Sequence, residues 1–431
     1  MGLFDRSNKK SLNKKSFKLF REDKLQEAIE LYNEALKIEP NNTEIWNVKG
    51  LIFLEIGKYH EAIEAYDRSL EIEPNNAEAW NNKGIALGKL GKYREALDAY
   101  DRSLEIEPKT VEAWNNKGIA LGKLGKYREA LDAYDRSLEI EPKAAETWHN
   151  KGIILIELNM FHEALECYEK ALELNPNDSN IWYAKGNTLG ILGKYQKALE
   201  CYEKALEINP NHISAWNNKG TVFEKLGKYR EALDAYDKSL EIEPKTVEAW
   251  NNKGTVFEKL GKYREALDAY DRSLEIEPKA AETWSNKGII LMELNMFHEA
   301  LECYEKALEL NPDDSETWYG KGNTFGILGK YQKALECYEK ALEINPNYIS
   351  AWINKGHAFK DSGKYLKAIK CFNKALKLDS KNAEAQYYKG NILIKLGKDQ
   401  EAEKCFDEVI RIDPNYELAL KAKEDILDSK S

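Results

Sequence analysis

The chain has 431 residues, of which 32% are charged and 42% are hydrophobic, and its net charge is −10. The length allows two or three ordinary domains or one long repeat array, and the composition is typical of an ordered, helix-rich protein. The acidic balance argues against nucleic-acid binding, which normally needs a basic face. No apolar run approaches the ~20 residues of a membrane span, so no membrane insertion is expected.

The N-terminal sequence MGLFDRSNKK lacks the apolar segment of a signal peptide, so we expect a cytoplasmic protein. Residues 1–8 are predicted to form a basic N-terminal arm, and basic residues continue as far as Lys18. This stretch is either a solvated cap or an anchor for an acidic partner.

Tryptophan and proline recur every 34 residues. The tryptophans keep this step from Trp46 to Trp352, and the prolines keep it from Pro40 to Pro414, with Ser380 in the one missing place. A period of this length predicts an array of paired helices. We number each unit so that tryptophan occupies position 4. Twelve units then cover residues 9–416, and they start at residues 9, 43, 77, 111, 145, 179, 213, 247, 281, 315, 349 and 383.

Each unit is predicted to contain helix A, a turn and helix B. Position 15 is Gly in nine units and Asn in two, which predicts a left-handed residue at the end of helix A. Proline at position 32 ends helix B, and polar residues after it, such as Asn76 and Thr110, are expected to cap the next helix A. Gly at position 8 and Ala at position 20 allow the two helices to approach closely. Residues 417–431 are predicted to be a C-terminal capping helix and tail.

The sequence AEAWNNKGIALGKLGKYREALDAYDRSLEIEPKT, residues 77–110, resembles the tetratricopeptide repeat (TPR) family. The resemblance implies an all-α fold, a right-handed α-α superhelix in which stacked helix-turn-helix pairs form a solenoid. It also implies that the A helices line the concave surface of that superhelix and that the chain binds other proteins.

The residue types that usually carry chemistry follow the repeat instead. All six cysteines occupy position 23, where other units have Ala, so we expect them to be reduced packing residues. The six histidines lack the spacing of a zinc-binding helix, and the glycine-rich GIALGKLGKY lacks the GK[ST] of a phosphate-binding loop. The repeats leave no room for a catalytic domain, so no enzyme, cofactor or metal site is expected.

Helix spacing predicts that positions 2, 5, 6, 9, 12 and 13 of helix A share the concave face. Position 6 is Asn in seven units, and its side-chain amide offers a donor and an acceptor that match a peptide backbone. The row resembles the asparagine ladders of some TPR proteins and predicts a groove that binds an extended segment. Alternatively, each asparagine only bonds to its own helix. The predicted ladder consists of Asn82, Asn116, Asn150, Asn218, Asn252, Asn286 and Asn354.

A longer period is also present, because residues 109–220 return almost unchanged as residues 245–356. The sixth and tenth units share an aromatic residue at position 5, Asn at position 9 and Gly at position 12. These residues predict two equivalent pockets, unless the duplication merely copied what was there. The pocket residues are Tyr183, Asn187 and Gly190 in one unit and Tyr319, Asn323 and Gly326 in the other.

Charge at the face narrows the choice of partner. Position 2 is usually Glu, as in Glu78 and Glu112, which favours an extended and partly basic ligand. Position 5 is never Lys, so the two-carboxylate clamp by which TPR proteins capture heat-shock chaperone tails is not expected. We therefore predict an interaction scaffold that binds a protein segment in the concave groove. The alternatives are a structural adaptor that uses the convex face or the ends, and a targeting subunit of an enzyme complex. The sequence sets no oligomeric state.

Overall fold

The computed structural model describes residues 24–428, so the basic arm predicted for residues 1–8 and the helix A predicted for the first unit lie outside the described residues. The described residues form helices joined by short turns, and no strand occurs between residues 24 and 428. The chain divides into two compact parts, and the boundary falls between Ala215 and Trp216, within one helix. These two parts are called the first unit and the second unit from here on, and each 34-residue element is called a repeat. Within residues 24–428, no helix is both long and apolar enough to cross a membrane.

In the first unit, helices of 14 and 13 residues alternate. They are α1 Leu25–Ile38, α2 Thr43–Glu55, α3 Tyr59–Ile72, α4 Ala77–Lys89, α5 Tyr93–Ile106, α6 Val111–Lys123, α7 Tyr127–Ile140, α8 Ala145–Glu157, α9 Phe161–Leu174, α10 Ser179–Ile191 and α11 Tyr195–Ile208. Helix α12, Ile213–Lys225, contains the boundary between the two units.

The second unit continues the same alternation. Its helices are α13 Tyr229–Ile242, α14 Val247–Lys259, α15 Tyr263–Ile276, α16 Ala281–Glu293, α17 Phe297–Leu310, α18 Ser315–Ile327, α19 Tyr331–Ile344, α20 Ile349–Asp361, α21 Tyr365–Leu378, α22 Ala383–Lys395, α23 Asp399–Ile412 and α24 Glu417–Asp428. Even-numbered helices are A helices at positions 1–13, and odd-numbered helices are B helices at positions 17–30.

The turn between A and B follows from position 15. Gly91 has φ +75°, and Asn159 and Asn295 take the same left-handed conformation with φ near +60°. In the third repeat the backbone amide of Lys92 donates to the carbonyl oxygen of Leu87 at 3.0 Å, which closes the end of helix A. The predicted left-handed residue at the end of helix A is confirmed.

Capping of the A helices is only partly as predicted. The Asn76 side chain accepts a hydrogen bond from the backbone amide of Ala79 at 3.0 Å. Thr110 makes no such cap, because its hydroxyl donates to the carbonyl of Glu107 at 3.0 Å. The prediction was therefore right for Asn76 and wrong for Thr110, whose hydroxyl closes the preceding turn instead.

The shared period of tryptophan and proline has a direct cause. The indole Nε1 of Trp114 donates to the carbonyl oxygen of Pro108 at 2.9 Å. The same bond joins Trp80 to Pro74 and Trp318 to Pro312, also at 2.9 Å. Each tryptophan thus fixes the start of its A helix to the end of the preceding B helix.

Close packing within a repeat depends on glycine at position 8. A Cβ added at Gly118 would lie 2.5 Å from a ring carbon of Tyr134, the position 24 aromatic of the same repeat. Tyr134 is 2% exposed, and position 24 supplies most of the large, fully buried side chains. Glycine therefore lets a tyrosine ring fill the space between helix A and helix B.

The C-terminal helix α24 extends the buried layer. Ala419 and Ile426 are buried against Phe406 and Val409 of α23. Leu420, the residue in the tryptophan position, is 39% exposed. The helix covers an apolar side of α23.

Candidate functional site

The two asparagines of the AWNNKG motif have different environments. At position 5, Asn81 and Asn115 are 9% and 6% exposed. At position 6, Asn116 and Asn150 are half-buried. The prediction that both positions lie on an open face was wrong for these position 5 asparagines, because they pack between neighbouring A helices.

Hydrogen bonds connect the two positions from one repeat to the next. Asn116 Nδ2 donates to Asn81 Oδ1 at 3.2 Å, and Asn150 Nδ2 donates to Asn115 Oδ1 at 3.1 Å. Asn115 Nδ2 lies 3.4 Å from Glu146 Oε1 in the following repeat. These asparagines therefore bond to the adjacent A helix and not to their own, so part of the ladder has a structural role.

The position 6 amides keep capacity for a ligand. Asn116 and Asn150 each use Nδ2 in one bond, and no described residue donates to their Oδ1 atoms. Among the described residues, the side chains of Asn82, Asn252 and Asn286 have no hydrogen-bond partner, and all three are half-buried. A half-buried amide with a free oxygen and at least one free N–H can bond to a peptide backbone. We call positions 2, 6, 9, 12 and 13 of the A helices within each unit the A-helix face.

In the second unit, three predicted site residues form one network. Asn354 Nδ2 donates to Tyr319 Oη at 3.0 Å and to Asn323 Oδ1 at 2.8 Å. Tyr338 Oη also donates to Asn323 Oδ1, at 2.8 Å. Both N–H groups of Asn354 are therefore used, and only its Oδ1 can bond to a ligand. The network fixes the orientation of this amide.

A cavity of about 390 Å³ opens beside this network and is called the Tyr338 pocket below. Four A and B helices contribute to its wall, namely α16, α18, α19 and α20. It is lined by Met292, Asn323, Gly326, Ile327, Tyr331, Tyr338, Asn354, His357, Ala358 and Asp361. Tyr319 lies behind the wall, where it packs against Tyr338 and Tyr348 with ring centroids 6.1 and 4.9 Å apart.

The equivalent residues in the first unit repeat the local part of this arrangement. Tyr202 Oη donates to Asn187 Oδ1 at 2.7 Å. The ring of Tyr183 lies 4.7 Å from that of His212, which takes the place of Tyr348. The structure thus brings Tyr183 and Asn187 into the same relation to their own repeat as Tyr319 and Asn323.

His357 and Asp361 were not predicted from the sequence. The Nε2 atom of His357 lies 3.3 Å from Glu384 Oε1. The imidazole ring packs edge-on against the ring of Tyr388, with the two ring centroids 4.2 Å apart. Burial lowers the pKa of His357, against the opposing effect of Glu384, so the imidazole is neutral at pH 7. Position 9 varies from one repeat to another, so the sequence pattern did not identify this side chain.

Carboxylates are frequent on the A-helix face. In the second unit, Lys259 pairs with Glu224 at 2.7 Å, while Tyr270 Oη donates to Glu258 at 3.4 Å. Burial raises the pKa of Glu258, although the hydrogen bond from the Tyr270 hydroxyl and the charge of Lys259 oppose this shift. The carboxylate of Glu224 is therefore paired with a cation, and that of Glu258 accepts a hydrogen bond from a hydroxyl group.

A cavity of about 270 Å³ lies on the A-helix face of the first unit. Its lining includes Glu44 and Glu78 at position 2, together with Asn47 and Asn82. The Oδ1 atom of Asn47 is buried and has no partner among the described residues. The cavity therefore combines two carboxylates with amide groups, and the carboxylates suit a positively charged group.

The family assignment follows from these repeats together with matches to known families. A tetratricopeptide repeat model matches residues 77–110, 111–144, 145–178, 179–212, 281–314, 315–348 and 383–416. Related TPR models match residues 18–57, 50–91, 211–279, 337–370 and 356–397. The chain belongs to the tetratricopeptide repeat family. No curated protein sequence matches it.

Several solved structures are similar to this chain. The chain is similar to the APC/C hetero-tetramer Cut9–Hcn1, with 16% identity, a TM-score of 0.50 and coverage of 97% of this chain and 96% of that one. It is similar to YrrB, a TPR protein with an unusual peptide-binding site, at 26% identity over 44% of this chain and 99% of that one, with a TM-score of 0.40. Yeast Tom70 is 18% identical over 99% and 96% of the two chains, with a TM-score of 0.43. The repeats make this chain a protein-interaction scaffold.

Proposed function

We propose that the A-helix face binds an extended segment of another protein, partly through the backbone of that segment. The observation that carries the proposal is the set of half-buried position 6 amides that retain free oxygens and N–H groups. A backbone presents alternating carbonyl and N–H groups, so regularly spaced amides can bond to it regardless of side chains. Binding of the segment involves no chemical reaction, and we assign the chain no catalytic role.

Affinity is expected to be micromolar. Each amide contributes roughly 0.5–1.5 kcal/mol net, and ordering a flexible peptide offsets much of the sum. The position 2 glutamates Glu44 and Glu78, which line the cavity at Asn47, favour a partly basic segment.

The test uses asparagines whose removal leaves the repeat stacking intact. Asn82, Asn252 and Asn286 make no side-chain hydrogen bond to a described residue, so the triple Ala variant should keep its helicity and its urea midpoint. The control is a triple Ala variant at Asn175, Asn177 and Asn373, which are exposed on B helices or in turns. Binders are selected with wild type from a library of 12-residue peptides, and their Kd values are measured by fluorescence anisotropy.

We expect the face variant to lose at least about tenfold in affinity for the selected peptides, and the control to match wild type. Methylation of alternate backbone nitrogens in a selected peptide should weaken binding to wild type more than to the face variant. Equal affinities of the two triple variants would contradict a role for the asparagines in binding.

A structural adaptor that uses the other side of the chain is the second candidate. A cavity of about 510 Å³ lies between α9, α10 and α11, and its lining includes Lys185, Lys194, Lys197 and Lys204. Peptides that bind wild type and the face variant equally, but lose binding when Lys194 and Lys197 are changed to Glu, would favour this candidate.

A further inference from the structure

We infer that the Tyr338 pocket binds a lysine or arginine side chain of the bound segment and so sets the register of that segment on the scaffold. The inference rests on the proposed peptide binding and adds a specific site to it. The basis is the polar groups that remain free around the cavity.

The wall holds an amide oxygen and a carboxylate as acceptors, and it also holds the Nδ2 group of Asn323, which has no hydrogen-bond partner among the described residues. Asn354 uses both N–H groups on Tyr319 and Asn323, so it presents Oδ1 to the cavity. Asn323 Oδ1 already accepts two hydrogen bonds. Asp361 adds a carboxylate at the rim. A ligand group that donates a hydrogen bond to Asn354 Oδ1 is therefore favoured, and a positive charge adds an attraction to the Asp361 carboxylate.

One lysine competes for the Asp361 carboxylate. Lys360 Nζ lies 3.2 Å from Asp361 Oδ1, with the two side chains 26% and 40% exposed. Exposed ion pairs between neighbouring residues are weak. The Lys360 ammonium also lies 5.0 Å from the centre of the Tyr388 ring, on which it can remain when a ligand pairs with Asp361.

The rest of the wall suits the aliphatic part of a basic side chain. Met292, Ile327 and Ala358 are apolar, and Ile327 is 60% exposed. Lysine and arginine bury their methylene groups on such surfaces while the charged end reaches polar atoms. The Tyr331 ring, which is half-buried, offers aromatic surface to the cation. A purely apolar side chain would shield the Asn354 Oδ1 atom from water and would not donate a hydrogen bond to it.

The chain itself supplies informative substitutions. The repeat that follows Asn187 has Lys225 where the repeat that follows Asn323 has Asp361. Position 12 is Met in the repeat of Met292 but Gly at Gly326, and a Cβ at Gly326 would approach only Tyr338 Oη, at 3.6 Å. Both Asp361→Lys and Gly326→Met therefore introduce residues that the same helix position already holds elsewhere.

The experiment compares wild type with Asp361→Lys and Gly326→Met in a position-scanning library of 12-residue peptides. In each sublibrary one position is fixed as Lys, Arg, Met or Glu. The control for charge is Glu343→Lys. Glu343 lies on the B helix α19 but does not line the Tyr338 pocket, and it pairs with Lys340 at 2.7 Å. The control for the cavity is Gly88→Met, where a Cβ would lie 3.9 Å from Tyr100 Oη.

We expect wild type, Glu343→Lys and Gly88→Met to prefer Lys or Arg at one peptide position by about tenfold over Glu and Met. Asp361→Lys should reverse this preference toward Glu at that position, and Gly326→Met should remove it. Binding that shows no preference for a basic residue, or a preference that Asp361→Lys leaves unchanged, overturns the pocket assignment while peptide binding stands. If no sublibrary binds wild type, the proposed function fails as well.

Discussion

The two copies of the duplicated segment, residues 109–220 and 245–356, differ at thirteen positions, and five of these lie on the A-helix face. Their frame is the same, since Tyr202 bonds to Asn187 as Tyr338 bonds to Asn323. The aromatic neighbour of the position 5 tyrosine changes from His212 to Tyr348. Immediately after each copy the sequence diverges further, and the residues equivalent to His357 and Asp361 are Thr221 and Lys225.

Under the proposed function, the positions that hold the fold differ from those that would contact a ligand. Positions 4, 8, 15, 24 and 32 hold the frame and hardly vary. Positions 9, 12 and 13 vary, and they line the Tyr338 pocket. A pocket at the end of a duplicated block can therefore acquire a new wall while its floor stays unchanged.

The largest effect is expected from a change in the frame, and it should be equal in the two copies. A Cβ at Gly186 would lie 2.8 Å from Tyr202 Cε1, and one at Gly322 would lie 2.6 Å from Tyr338 Cε1. Gly186→Ala and Gly322→Ala should each destabilise their region by about 1–3 kcal/mol, because the ring must leave its buried site. Urea unfolding followed by circular dichroism measures the loss. A large difference between the two variants would mean that the copies do not share a frame.

A smaller effect is expected at position 6, and here the result should depend on the repeat. Asn354→Ala removes bonds to Tyr319 and Asn323 and should cost about 1–2 kcal/mol. Asn286→Ala removes no side-chain bond to a described residue and should change stability by less than about 0.5 kcal/mol. Urea midpoints of the two variants provide the measurement. Equal losses would show that the asparagine bonds between repeats contribute little.

The sequence was sufficient for most of the fold. Trp and Pro at a 34-residue step, with Gly or Asn at position 15, predicted the helix pairs and the turns between them. It was insufficient for the candidate site, because helix periodicity places position 5 and position 6 on adjacent directions without showing which one the next helix covers. The burial of Asn81 and Asn115 depends on the spacing between repeats. His357 was missed for a similar reason, since its wall forms only where α20 meets α18 and α19.

A pH-dependent difference between the copies is expected at position 5 of the fifth and ninth repeats, which is His149 in one and Ser285 in the other. Burial lowers the pKa of His149, although Asp178 and Glu146 oppose the shift. Above pH ~6.5 the imidazole is neutral in both the folded and the unfolded chain and makes no pH-dependent contribution. Below that pH the unfolded chain binds the proton first, so stability falls as the pH decreases.

The variant His149→Ser should therefore lose less stability than wild type when the pH is lowered from 7.5 to 5.5. His212 and His357 also have lowered pKa values and remain in both proteins, so the comparison isolates His149. Thermal unfolding at several pH values gives the difference. Parallel pH profiles would mean that His149 is protonated without cost in the folded chain.

The smallest effect is expected at the cysteines, where the copies are identical. Cys201 and Cys337 are free, and burial raises the pKa of each thiol to about 11. At pH 7.5 almost no thiolate is present, so iodoacetamide should modify neither residue until urea unfolds the chain. Cys201→Ala and Cys337→Ala, which restore the residue that other repeats hold at position 23, should each cost less than about 1 kcal/mol. Rapid alkylation of only one of the two in the folded protein would show that its copy opens locally, and the equality of the two frames would then no longer hold.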